Sequence, residues 1–189
     1  ITGNTITVSL SDDADEHVIA DAIRVTPIVT PPVPKIIDNG DPGFSTVGNW
    51  THFQGQGFDD DVHYRDPGNG SNQAIWNFSG LVPGTYQIAA TWSENVNRAT
   101  NAPYTIEGGV IPLEVEINQE QAPNDFSDQW GTWENLGTVT ITGNTITVSL
   151  SDDADEHVIA DAIRVVSVPP QIIDNGDLGF STVGNWTHF

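Results

Sequence analysis

The chain has 189 residues and carries 26 acidic against 5 basic side chains, a formal net charge of −21. A surface this acidic repels phosphate groups, which excludes nucleic acids and anionic membranes as partners. There is no cysteine, so disulfides and thiolate chemistry are excluded, and no apolar stretch approaches the roughly 18 residues of a membrane-inserted helix.

Two blocks of sequence occur twice in the chain. Residues 1–25, ITGNTITVSLSDDADEHVIADAIRV, recur without a change at residues 141–165. Residues 36–53 recur at residues 172–189 with a single substitution, Pro42 becoming Leu178. The connecting segments are rich in proline and differ in length. Duplication of this kind predicts a tandem array, of which the chain is a window.

The repeats divide the chain into five predicted parts. Residues 36–165 form one complete repeat, a size that is ordinary for a single domain. Residues 1–25 are the C-terminal strands of a preceding repeat, and residues 172–189 are the N-terminal part of the next. Residues 26–35 and 166–171 are the proline-containing linkers between repeats.

Alternation of apolar and polar residues with a period of two dominates the complete repeat, and helical periodicity is nearly absent. In chain order the clearest predicted strands are 73–80, 85–92, 113–119, 144–150 and 157–165. The last is apolar enough for the centre of a sheet. The stretch 137–150 predicts two strands with a hairpin turn at Gly143 and Asn144. We therefore predict an all-β fold, an antiparallel β-sandwich of jelly-roll or galactose-binding-like type, with a differently ordered barrel as the alternative.

Three separated stretches carry a resemblance to a known family. They are IIDNGDPGFSTVGNW at the start of the repeat, NRATNAPYTI (97–106) in its middle and HVIADAIRV at its end. Together they resemble the golvesin-type domain, which is itself similar to the carbohydrate-binding region of xanthan lyase. The resemblance covers essentially all of 36–165. It implies a bacterial, extracellular or cell-surface β-sandwich module, with carbohydrate binding as a further implication and no catalytic residues to carry over.

Asp161 is the most informative single residue. In the predicted strand 157–165 its side chain has the parity of Ile159 and Ile163, so it points inward, where an unpaired charge is costly. One interpretation is structural: an ion pair with Arg98, or hydrogen bonds from the backbone amides of a loop. The other is that Asp161 is a ligand of Ca²⁺.

Two acidic stretches are further candidates for Ca²⁺ binding. Residues 57–66 contain Asp59, Asp60 and Asp61, and hard oxygen ligands on a short loop suit this ion. The acids of 151–157 are instead interpreted as solvated residues of a turn. Neither stretch has the spacing of an EF-hand loop. The candidate calcium ligands are therefore Asp59, Asp60, Asp61 and Asp161.

Sugar binding needs exposed aromatic rings beside polar side chains. Trp130 and Trp133 lie in a polar stretch, and Tyr64 lies beside His63 and Arg65. These three rings are candidate glycan contacts, with the alternative that they cap the ends of the sandwich. The histidines show no zinc-binding spacing and no G-x-S-x-G motif occurs, so we expect no enzyme activity.

The duplication favours a structural role. We expect a repeat unit of a long bacterial surface protein, stalk, adhesin or filament, which assembles through contacts with copies of itself. The alternative is a carbohydrate-binding module that acts multivalently on extracellular polysaccharide.

Overall fold

The computed structural model describes residues 5–24 and 32–169, which belong to two separate compact units. Within 32–169 the chain forms thirteen strands and one 3₁₀ turn at Phe58–Asp60. The strands are β1 (Lys35–Ile37), β2 (Phe44–Val47), β3 (Thr51–Gln54), β4 (Asp61–Arg65), β5 (Gln73–Phe78), β6 (Gly84–Ala90), β7 (Ala102–Glu107), β8 (Leu113–Ile117), β9 (Phe126–Ser127), β10 (Thr132–Ile141), β11 (Ile146–Ser151), β12 (Val158–Ala160) and β13 (Ile163–Val168).

The strands assemble into three antiparallel sheets. Two five-stranded sheets have the orders β1-β13-β6-β10-β9 and β2-β5-β11-β7-β8, and a three-stranded sheet has the order β12-β4-β3. Every strand pair among these residues is antiparallel. The predicted all-β sandwich is confirmed, and no helix in the described residues is long and apolar enough to span a membrane.

The core follows from the alternation along the central strands. On β11 the side chains of Ile146, Val148 and Leu150 are 0% exposed, whereas the Thr and Ser residues between them are only partly buried. Their neighbours on β5, with Trp76 opposite Val148, are buried in the same way. One apolar cluster joins these strands to Ile88 of the other sheet, as expected for two sheets packed face to face.

The predicted hairpin at Gly143 and Asn144 is wrong. Both strands form, but β10 pairs with β6 and β9 while β11 pairs with β5 and β7. The turn therefore carries the chain from one sheet to the other. A period of two fixes which face of a strand is buried, and both strands bury that face in one core, but it does not select the neighbouring strand.

The predicted continuous strand 157–165 is also corrected. It is interrupted at Asp161 and Ala162, with β12 in the three-stranded sheet and β13 in a five-stranded sheet. At the interruption the Asp161 carbonyl accepts a hydrogen bond from the Trp76 indole at 3.0 Å, and the Ala162 carbonyl accepts one from the Thr91 amide at 3.1 Å. These bonds satisfy the carbonyls that leave the ladder.

The first copy of the duplicated block has a different structure from the second. Residues 5–24 contain no strand, and Ile6, Val8 and Leu10 are 50%, 57% and 63% exposed. The same letters in the second copy form β11, β12 and the first part of β13. Strands need backbone partners, and the second copy has β5 and β7 on either side of β11. The predicted next-repeat segment 172–189 and most of linker 26–35 lie outside the described residues, and β13 extends to Val168, into the predicted linker 166–171.

Candidate functional site

An open cavity of about 290 Å³ lies beside the three-stranded sheet. Phe53 on β3 and Tyr64 on β4 contribute aromatic rings to it. The polar part of the lining consists of Gln56, Asn95, Asn97, Arg98 and His157. We call this cavity the Tyr64 pocket. Rings next to amide, guanidinium and imidazole groups can bind a ligand that has both apolar faces and hydroxyl groups.

Arg98 is held in place by the segment that follows β6. Its Nε donates to the Ser93 carbonyl at 3.4 Å, and its Nη1 donates to the Asn97 side-chain oxygen at 3.0 Å. Burial lowers the pKa of the guanidinium, whose residue is 9% exposed, but arginine remains charged. A guanidinium carries five N–H groups, so these two bonds fix its orientation and leave donors for a ligand.

The opposite part of the pocket is formed where β12 meets β4. The rings of Tyr64 and His157 are tilted against each other with centroids 6.0 Å apart, and His157 Nδ1 lies 3.2 Å from Asp66 Oδ1. His157 also forms a backbone bridge to Arg98, and its carbonyl accepts the Ala99 amide at 2.8 Å. The guanidinium and the two rings are thus attached to a rigid sheet edge.

A second open cavity, of about 330 Å³, is lined in part by residues 91–94, which precede the pocket residues Asn95 and Asn97 in the chain. Its lining includes Phe58, Trp92, Glu94 and Trp130. Trp130 is 39% exposed, as predicted for a glycan contact, whereas Trp92 is almost fully buried and donates its indole N–H to the Gln121 carbonyl at 2.9 Å. The structure therefore separates Trp130 from the Tyr64 pocket.

Trp133 is not an exposed ring, and its predicted role as a glycan contact is wrong. It is 0% exposed and packs with Ala89, Ala162 and Phe58. Its indole N–H donates to Asp128 Oδ1 at 3.1 Å, and Asp128 also accepts from Arg164 at 2.9 Å. A buried indole needs such an acceptor, so the polar neighbours of Trp133 in the sequence serve its burial.

Asp161 is buried, 1% exposed, as predicted, but its neighbours Ala160 and Ala162 are buried as well, at 0%. Both of its side-chain oxygens accept the backbone N–H of Phe58, at 3.0 and 3.1 Å. This is the loop-amide alternative given above. No ion pair joins Asp161 to Arg98 anywhere in residues 32–169, since Arg98 bonds to Ser93 and Asn97 instead. Burial raises the pKa of Asp161 well above its usual value, and the charge of Asp38 adds to this.

The three consecutive aspartates do not lie together in one loop. Asp59 and Asp60 lie in the 3₁₀ turn with positive φ and are exposed, whereas Asp61 begins β4. Asp61 contacts His52 Nε2 at 2.7 Å and accepts from Asn39 at 2.6 Å. Burial opposes ionisation of Asp61, but these contacts outweigh it and lower the pKa.

The candidate calcium ligands therefore do not fit a metal ion. Asp61 is engaged by His52 and Asn39, and both oxygens of Asp161 are engaged by Phe58. In the two described segments, no group of three or more acidic or histidine side chains converges on a point that could hold a cation. A Ca²⁺ ion needs six to eight converging oxygen atoms.

The acids of the turn 151–157 were predicted to be solvated, and this is wrong for one of them. Asp152 is 0% exposed and accepts the backbone amides of Gly70 at 2.9 Å and Asn72 at 3.3 Å. Asp155 is exposed and accepts the Thr100 amide at 2.8 Å as well as the Thr100 hydroxyl. These two acids tie the turn to neighbouring loops, so their function is structural.

The described domain matches the model of a known protein family. The model of the Golvesin C-terminal domain matches residues 35–167. The chain belongs to this family. No curated protein sequence matches the chain.

Solved structures place the golvesin domain among β-sandwich modules. It is similar to a region of Paenibacillus xanthan lyase, with 27% identity and a TM-score of 0.61 over 72% of this chain and 13% of that chain. It also shares its fold with the CBM35 of Cellvibrio japonicus Abf62 (18% identity, TM-score 0.51, 71% and 94% of the two chains). A third match is the Podospora anserina GH26-CBM35 β-(1,4)-mannanase (13%, 0.50, 74% and 28%). The chain thus spans only a small part of the xanthan lyase.

In the golvesin domain, Tyr64 is the pocket residue that the sequence predicts as a ligand contact, and Arg98 is predicted for a different role. The other pocket residues were not predicted: Phe53, Gln56, Asn95, Asn97 and His157. These residues come from separate parts of the chain, and only the pairing of β12 with β4 and of β3 with β4 brings them together. Only three pocket residues lie in the stretches that carry the family resemblance: Asn97 and Arg98 in the middle stretch, and His157 at the start of the last one.

Proposed function

We propose that the domain is a non-catalytic, extracellular module that binds carbohydrate in the Tyr64 pocket. The observation that supports this most is the lining itself, in which two aromatic rings lie beside a fixed guanidinium, an imidazole and three amides. Sugars present C–H faces that pack on rings and hydroxyls that bond to such groups. The fold shared with a carbohydrate-binding module and with part of a xanthan lyase is consistent with this role.

The charge of the molecule narrows the class of sugar. With a net charge of −21 the chain repels polyanions at long range, and a single arginine in the pocket does not reverse that field. Asp66 lies beside His157 at the pocket and adds local negative charge. We therefore expect a neutral saccharide, with Arg98 as a hydrogen-bond donor to hydroxyls.

Titration of a panel of neutral and uronic-acid oligosaccharides by calorimetry tests the proposal. Tyr64→Ala should weaken binding of the best ligand about five- to thirtyfold, since one ring stacking on a sugar contributes about 1–2 kcal/mol. Trp130→Ala is the matched control, because it removes an exposed ring from the second cavity, and it should leave affinity unchanged. Loss of binding in Trp130→Ala but not in Tyr64→Ala would overturn the assignment of the pocket.

A second candidate is the structural repeat of a surface stalk or filament. It is supported by the unchanged duplication of residues 1–25 at 141–165, since interchangeable units suit an array. Negative-stain electron microscopy of chains with several repeats tests it. Regular fibres or rods of fixed spacing are expected, and unconnected particles that do not associate at any concentration contradict it.

A further inference from the structure

The chain contains two copies of one segment but only one described place for it in a sheet. In the second copy, β11 lies between β5 and β7, with Thr147 opposite Asn77 on one side and Glu107 on the other. β12 and β13 continue the segment into the two other sheets. The first copy has a counterpart for every residue of β11 and β12, and for β13 as far as Val165.

The two copies are equivalent in chemistry and opposite in exposure. Val148 is 0% exposed and its counterpart Val8 is 57% exposed, and Ile159 at 0% corresponds to Ile19 at 82%. Close-packed cores discriminate between side chains by shape and volume. Since every side chain from 5–24 is the same as its counterpart in 145–164, packing cannot discriminate between the copies.

The linker between the first copy and β1 is long enough for the first copy to take the place of the second in the sheets. β1 pairs with β13 so that Lys35 lies opposite Val165, and opposed residues of an antiparallel pair are about 5 Å apart. If Val25 took the place of Val165, residues 26–34 would have to span only that gap. Nine residues reach up to about 30 Å when extended, so their number is sufficient to bridge that gap.

We propose that residues 5–24 can replace residues 145–164 in the sheets of their own chain, giving a domain with a permuted order of strands. The proposal does not depend on sugar binding.

The residues after Val165 explain why the second copy occupies the sheets in the structure. Val166, Ser167 and Val168 continue β13 along β6, opposite Gln87, Tyr86 and Thr85. The first copy has Thr26, Pro27 and Ile28 at these positions, and Pro27 has no N–H to donate to the ladder. The second copy therefore forms one stretch of pairing that the first cannot.

Placing a charge in each copy separately tests the exchange. Val148→Asp should lower the melting temperature by several degrees but keep a cooperative transition, because the first copy takes over. Val8→Asp is the matched control in the exposed copy and should leave the midpoint unchanged. The double variant should lose cooperative unfolding altogether. The proposal is contradicted if Val148→Asp loses cooperative unfolding to the same extent as the double variant.

A cross-link identifies the copy that is inserted and the chain that provides it. The chain has no cysteine, so Thr7→Cys and Asn77→Cys can be added to the Val148→Asp variant. The expected product under oxidation is an internally linked monomer. Thr147→Cys with Asn77→Cys in the unaltered background shows that the geometry permits the bond. A linked dimer would mean that the segment enters a second copy of the chain, and no linkage would mean that the first copy does not insert. Both results overturn exchange within one chain.

Discussion

The carboxylate of Asp152 accepts a hydrogen bond from the Asn72 side-chain amide at 2.5 Å, although 80 residues separate the two. The same carboxylate accepts the backbone amides of Gly70 and Asn72, and its nearest guanidinium nitrogen, Arg65 Nε, is 3.8 Å away. One buried acid thus organises the loop before β5.

In the Val8→Asp background, in which the first copy cannot take over, replacing Asp152 with alanine should lower the free energy of unfolding by about 3 kcal/mol, because several buried donors lose their acceptor. The chain supplies its own control. Asp12 is the same residue in the first copy and is exposed, so Asp12→Ala should be neutral. Urea denaturation followed by tryptophan fluorescence measures both, and similar losses in the two variants would contradict the structural role of Asp152.

Gly57 tests the attachment of Asp161 to the loop. Gly57 has φ +87°, and a Cβ there would lie 2.4 Å from Val62 Cγ1 and 2.8 Å from Asp161 Oδ2. Gly55, two residues earlier, also has a positive φ (+94°), but its Cβ would meet nothing within 4 Å. Alanine at either position suffers the backbone strain, roughly 1 kcal/mol. Only Gly57→Ala adds the clash, so it should lower the melting temperature further. Equal shifts would show that Phe58 and Asp161 tolerate displacement.

The buried carboxylates give the domain a particular pH dependence. Burial raises the pKa of Asp38 from its usual value of 3.8 to about 6, and the charge of nearby Asp61 adds to the shift. Because the folded-state pKa is raised, this contribution to stability is fully present below pH 3.8 and is lost as the pH rises through about 6. Asp38→Asn should therefore stabilise the domain at pH 7.5 more than at pH 4.5.

Asp161 acts in the same direction as Asp38, since burial raises its pKa as well. Asp153→Asn, an exposed change in the turn after β11, is the control and should shift stability equally at the two pH values. Guanidinium denaturation at pH 4.5 and pH 7.5 measures the stability of the unaltered protein, of Asp38→Asn and of Asp153→Asn. A gain in Asp38→Asn that is the same at both pH values would show that the Asp38 carboxyl has an ordinary pKa.

Removal of metal should have no effect on the described domain. Of the acids named as calcium ligands, Asp61 and Asp161 are engaged by protein donors and Asp59 and Asp60 are exposed, and in the described residues they form no metal-binding group. Differential scanning calorimetry in EDTA and in millimolar CaCl₂ should give the same melting temperature. A higher temperature in CaCl₂, reversed by EDTA, would restore the calcium hypothesis.

The sequence predicts where most strands lie and which side chains they bury, but it predicts few of the contacts between residues that are far apart in the chain. Alternation located β5, β8 and β11 because each buries one face, and it located β6 although Ala89 and Ala90 are both buried. The burial of Asp161 was also predicted correctly, although the strand used to predict it is interrupted there. Its partner, Phe58, lies 103 residues away, a distance that no local pattern encodes.

Trp133 shows how a local irregularity hides a buried residue. Between Asn135 and Gly137 the register of β10 against β6 shifts, so the buried positions Trp133, Leu136 and Val139 do not follow a period of two. Without that period the polar neighbours of Trp133 predicted exposure. The bulge, which the sequence does not reveal, is the reason for the error.

The pairing of β1 with β13 determines how the domain responds to tension. Lys35 lies opposite Val165 and Ile37 opposite Ile163, so the chain enters and leaves residues 35–168 at the same end of that ladder. A force that pulls the two ends apart loads the three residue pairs one after another, as in a zipper, instead of all at once in shear. A domain loaded in this way opens at a lower force than one loaded in shear, so a row of such domains would stretch under load instead of staying stiff.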